Sequence, residues 1–159
     1  MIKEEILKNC TWDHYDMASL EIEIPILKTK AKVQFIPKSK SGKKITDDMT
    51  KALNDVLNLN AIQIIEIKDF LFCFFNLCCE VTSYGFEIDI IEGEALADAN
   101  KRYFGVKSRE DVLIKSKLEQ ITIEEYEGRA ATLHFYAPWE DEHGCEIVIR
   151  NGEVGKFRE

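Results

Sequence analysis

Asn151-Gly152 lies between CEIVIR (145–150) and EVGKF (153–157), and no other feature constrains the fold of this chain as much. In a two-residue hairpin turn of this kind both central residues take positive φ, which asparagine and glycine tolerate best. The pair therefore predicts a hairpin, and the same alternation of apolar and polar residues runs backward from it. EQITIEEY (119–126) and RAATLHFY (129–136) read as two further strands, with Gly128 marking the first turn and WEDEHG (139–144) the second. Parity agrees along all four. Ile121 and Ile123, Leu133 and Phe135, Ile147 and Ile149, and Val154 share one face. Thr122, Glu124, Thr132, His134, Tyr136, Glu146 and Arg150 share the other. An antiparallel four-stranded meander with one dry and one polar face follows, and the dry face needs helices to cover it.

The chain supplies them. Thr46 is placed as an N-cap, with Asp47 and Asp48 in the first turn and Met49, Leu53, Val56 and Leu57 forming a stripe at helical spacing. A second helix is expected over 61–79, amphipathic at first through Ile62, Ile65 and Asp69, then apolar almost all round from Phe70 to Cys79. That half is expected to be buried, with Cys73 and Cys78 on its inner face and a homodimer seam over 70–79 as the alternative. ALADANKRYFG (95–105) suits a helix with Leu96, Ala99 and Tyr103 inward and Gly105 as a left-handed cap. Ser108 and Asp111 have the spacing of a capping box for a short helix to about Lys115.

Ahead of these helices, LEIEIPIL (20–27) and AKVQF (31–35) alternate with period two and predict an antiparallel pair. Leu20, Ile22, Ile24 and Ile26 then point one way, and Pro25 marks an edge or a bulge. PKSKSGKK (37–44) reads as a solvated basic loop, and FEIDII (86–91) as a short strand or an extended connection. The reading is an α+β protein, with an N-terminal β-β-α-α unit over 1–93 and a C-terminal helix-plus-sheet unit over 94–159, together one compact domain. At 159 residues the chain is long enough for an ordinary core.

Charge narrows the partners. The formal net charge is -8, so a phosphate backbone or an anionic membrane surface is disfavoured and a basic protein is permitted. The apolar run DFLFCFFNLCC is too short to span a bilayer, which needs roughly 20 residues. MIKEEILKNC lacks the apolar segment of a signal peptide. Five cysteines, an odd number without a C-x-x-C pair, read as reduced core thiols in a cytoplasmic protein.

Chemistry-bearing residues crowd into Trp139-Glu140-Asp141-Glu142-His143-Gly144. Neighbours in an extended loop cannot all converge on one ion, and no second ligand cluster is present, so no metal or other cofactor is expected. A general-base pair could form if Glu142 or His143 approached His134 on the polar face, giving a metal-assisted or Glu/His hydrolase. No nucleophile elbow or phosphate-binding glycine loop accompanies them, and Cys145 falls on the dry face, where a thiol is inert. In the third reading Trp139 folds onto the core, Gly144 restarts the strand, and the acidic residues face outward as a contact for a basic partner.

Several of these strings also occur together elsewhere. Asn100 with Tyr103-Phe104-Gly105, then Ser108 to Val112, Thr132 to Tyr136, WEDEHG, and Asn151-Gly152 resemble a bacterial domain family of unknown function with a W-[DE]-x-E-H-G hairpin. The resemblance covers roughly 96–157 and carries no catalytic residue across. Cys145 stands where that family tends to have an aliphatic residue. Small acidic α+β proteins of this type are similar in character to the immunity proteins of bacterial toxin systems, by analogy of size, charge and compartment alone. The expected function is noncatalytic protein binding, toxin-neutralising or regulatory, with Glu140, Asp141, Glu142 and His143 as the contact and Trp139 as its anchor.

Overall fold

The computed structural model describes residues 1–38, 42–84 and 88–155, apart from the side chain of Asp141. A short helix α1 (Lys3–Asn9) precedes strands β1 (Thr11–Trp12), β2 (Ala18–Ile24) and β3 (Thr29–Ile36). Four helices follow: α2 (Asp47–Leu57), α3 (Ala61–Val81), α4 (Leu96–Phe104) and α5 (Arg109–Lys115). The chain ends in β4 (Lys117–Glu124), β5 (Ala130–Ala137), β6 (Glu140–Arg150) and β7 (Glu153–Val154).

The C-terminal meander and the N-terminal hairpin both form, and they join. β3 pairs with β4 in parallel, so all seven described strands make one sheet in chain order. Side-chain parity carries across every pair. Leu20 sits opposite Val33, Val33 opposite Ile121, Ile121 opposite Leu133, and Leu133 opposite Ile147. All five are buried and lie on the face that meets the helices. The adjacent row, Glu21, Lys32, Gln120, His134 and Glu146, lies on the other face. The result is an α+β fold in which α2 and α3 pack against the C-terminal half of the sheet.

The helix starts follow local chemistry. Thr46 Oγ1 accepts from Met49 N at 3.2 Å, Asn60 Oδ1 from Ile62 N at 2.9 Å, and Ser108 Oγ from Asp111 N at 3.3 Å. The Asp111 carboxylate accepts from Lys107 N, from the Ser108 hydroxyl and from Ser108 N, and these bonds lower its pKa. Gly105 caps α4 in the left-handed region, and Asn151 and Gly152 both take positive φ in the β6–β7 turn. A guanidinium–carboxylate pair, Arg129 on Asp55, fastens the β5 end of the sheet to α2.

Several expectations are corrected. Strand β2 stops at Ile24 because Pro25 opens a 3₁₀ turn over Pro25–Leu27, and Ile26 is exposed rather than inward. On α3, Ile64 and Ile67 enter the core and Ile62 and Ile65 face solvent, a shift of half a turn from the expected stripe. Cys73 and Leu77 are exposed too, so the C-terminal half of α3 is not buried all round. On α4, Leu96 and Tyr103 point outward, and Ala99, Asn100 and Phe104 pack inward. The basic segment is solvated as expected at Lys38, Lys43 and Lys44, and the Lys44 ammonium also meets the Glu125 carboxylate at 2.9 Å. Residues 39–41, 86–87 and 156–157 of the segments read above lie outside the described residues, and no strand forms over 88–91.

Asn100 is fully buried, and its Nδ2 donates to the carbonyls of Cys79 (2.8 Å) and Thr82 (3.0 Å). It closes the open C-terminal end of α3 from a neighbouring helix. Asn100→Ala is expected to cost about 1–3 kcal/mol, the desolvation penalty of buried carbonyls left without a donor. A denaturant melt with an unchanged midpoint would remove that role.

Candidate functional site

The polypeptide from Ala137 to Cys145 forms the site. Ala137 pairs with Glu140, so the turn between β5 and β6 is only Pro138-Trp139. The next ladder pair is Phe135 with Cys145. Tyr136 alone on β5 therefore faces Asp141, Glu142, His143 and Gly144 on β6. WEDEHG is not a hairpin loop, as expected from its polarity, but a tight turn followed by a wide bulge inside the strand.

Two residues hold the bulge at its ends. Gly144 has φ +66°, and a Cβ placed on it would lie 2.5 Å from the Phe135 carbonyl oxygen. Only glycine fits there. At the other end Trp139 is 1% exposed, edge-on to Phe75 at 4.9 Å and to Phe104 at 6.2 Å between ring centroids. Tyr84 stacks edge-on to Phe104 at 5.0 Å and donates its hydroxyl to the Trp139 carbonyl at 2.6 Å. Burial raises the Tyr84 pKa to about 12, so the hydroxyl keeps its proton and remains a donor across the ordinary pH range.

The acidic residues divide into two roles. Glu140 is turned toward the bulge: its Oε1 accepts from His143 N at 3.2 Å and lies 3.2 Å from His143 Nδ1. Glu142 and His143 are exposed. The Asp141 side chain lies outside the description. His134, on the open sheet face, meets Thr122 and Glu146 rather than Glu142 or His143. The hydrolytic constellation of His134, Glu142 and His143 is thus not assembled by any hydrogen bond among the described residues. Nor, among the described residues, do three His, Cys, Asp or Glu side chains cluster as a metal site.

Cysteine chemistry separates by burial. Cys145, on the dry face beside the bulge, has its thiol pKa raised to about 12 by desolvation first and nearby Cys78 and Glu146 second. Desolvation also lifts Cys78 and Cys79 to about 11. At pH 7, far below those values, all three are thiols and poor nucleophiles. Exposed Cys73 is expected to take an alkylating reagent in the folded protein while these three resist until unfolding. Peptide mapping after brief N-ethylmaleimide treatment checks this, and fast labelling of Cys145 would contradict it.

Residues that support the bulge but carry no polar signal were not visible from spacing. Tyr84 lies in an irregular segment, and Phe104 is adjacent to the Tyr103 that the helical pattern favoured. The Tyr-Phe-Gly string at the end of α4 was the available clue.

The chain belongs to the family described as a domain of unknown function, DUF6985, whose family model matches residues 3–158. No curated protein and no solved structure matches it.

Proposed function

We propose that this member of the family is a cytoplasmic bacterial protein-binding domain that takes a basic partner at the β5–β6 tip, in a toxin-neutralising or regulatory role. The observation that supports the reading is the anchoring of the bulge. Trp139 is sunk in an aromatic core, Gly144 admits no side chain, and Glu140 ties down His143, so Glu142 and His143 are presented on a preorganised backbone. A preorganised contact loses less conformational entropy on binding than a loose loop does. The formal charge of -8 adds long-range attraction for a cationic protein. Among the described residues no helix is long and apolar enough to cross a membrane.

Glu140 serves the bulge itself, so the informative variant leaves it in place. Asp141→Ser with Glu142→Ser is expected to keep the unfolding free energy within about 0.5 kcal/mol of wild type. It is expected to slow partner association by roughly tenfold at low salt, through loss of electrostatic steering. Surface-bound kinetics at two salt concentrations test it. Equal association rates for variant and wild type would refute the contact.

A further inference from the structure

The polar face of the sheet carries a second polar cluster, beside the Gly144 end of the bulge. Gln120 Nε2 donates to Gln34 Oε1 at 3.0 Å and to Thr122 Oγ1 at 3.2 Å. Thr122 Oγ1 lies 2.8 Å from His134 Nε2, and His134 Nδ1 lies 3.2 Å from Glu146 Oε1. The Glu146 carboxylate beside Nδ1 favours, by its negative charge, the tautomer with the hydrogen on Nδ1, which leaves Nε2 as an acceptor. The Thr122 oxygen already accepts from Gln120, and its own hydrogen is directed at Nε2. Thr122 and Glu146 also line a cavity of about 530 Å³, with Thr132, Arg150, Tyr126 and Phe74 on its walls.

Hydroxyl, imidazole and carboxylate in that order are the arrangement that activates an oxygen nucleophile. We propose that Thr122 is a nucleophile toward small carboxylic esters entering this cavity, with His134 as general base and Glu146 as the residue positioning His134. Thr122 Oγ1 attacks the ester carbonyl carbon as its proton passes to His134 Nε2. The bond from that carbon to the alcohol oxygen breaks, and the departing alkoxide takes the proton from Nε2. A water molecule then attacks the threonine ester, giving a proton to Nε2 that returns to Thr122 Oγ1 as the carboxylic acid leaves.

A network that merely tied four strands together would make the same hydrogen bonds, and reactivity tells the two apart. The full chain is treated with p-nitrophenyl acetate, nitrophenolate release is followed, and acetyl groups are mapped by peptide mass spectrometry. The expected result is acetylation of Thr122, lost in Thr122→Val and kept in Thr122→Ser. His134→Gln is expected to slow it by about a hundredfold or more, the usual contribution of a general base. Glu146→Ala is expected to lower kcat at nearly constant KM, with Glu146→Asp recovering part of the rate. Absence of acetyl on Thr122, or equal acetylation in His134→Gln, overturns the proposal. Because none of these five variants lies in the bulge, the outcome is distinguishable from that of the partner-binding test.

Discussion

Trp139→Ala is expected to lower stability by about 3–5 kcal/mol, the range for removing a fully buried large aromatic side chain. The indole fills space between Phe75 on α3 and Phe104 on α4, and truncation leaves a cavity where sheet and helices meet. Chemical denaturation with unchanged slope and a lowered midpoint is the expected signature. Trp139→Phe separates packing from polarity. The indole Nε1 is buried with no hydrogen-bond partner among the described residues, so phenylalanine keeps a ring and removes an unpaired donor. Its cost is expected to be well under half that of alanine. A melt of Trp139→Ala indistinguishable from wild type would mean that the turn is not anchored by this residue.

Gly144→Ala is the second large effect, expected at about 2–5 kcal/mol. A left-handed backbone costs a side-chain-bearing residue about 1–2 kcal/mol, and forcing an extra methyl into a packed site typically costs 1–3 kcal/mol more. Here the methyl would press on the Phe135 carbonyl, which belongs to the strand facing the bulge and cannot swing away like a side-chain tip. The variant is expected to fold with a displaced bulge and to lose partner capture beyond what its stability loss explains. Wild-type stability in Gly144→Ala would show that the bulge adopts another backbone course.

The contrast between what was legible in the sequence and what was not follows the range of the interactions. Thr46, Ser108, Asp111, Gly105 and the Asn151-Gly152 turn act through bonds to residues a few positions away, and each does in the structure what its spacing predicts. Strand parity was legible for the same reason, since one dry face fixes register along each strand. The parallel seam between β3 and β4 was not, because four helices separate its two strands in sequence and no local residue pattern encodes the pairing. Stripe phase on α3 failed differently. Apolar residues occur on both its inner and outer faces, so Ile62 and Ile65 fit a core pattern as well as Ile64 and Ile67 do. At the candidate site, the residues were marked by composition and Trp139 and Gly144 by type. The bulge that arranges them needed the Phe135–Cys145 register, which only the folded sheet supplies.

Thr122, His134 and Glu146 show the same limit. Each was placed on the polar face by parity, and His134 lies directly opposite Glu146, but Thr122 opposes Thr132 and reaches His134 only on the diagonal, which depends on the register of β4 and β5.

The most direct test of the binding account is affinity capture from the lysate of the native host, comparing wild type with the Asp141→Ser, Glu142→Ser double variant by mass spectrometry. Matched melting curves for the two baits make the comparison one of surface alone. The account predicts a basic protein captured by wild type, released by added salt, and absent with the variant. Capture of the same protein by both baits, or of none by wild type, would contradict it.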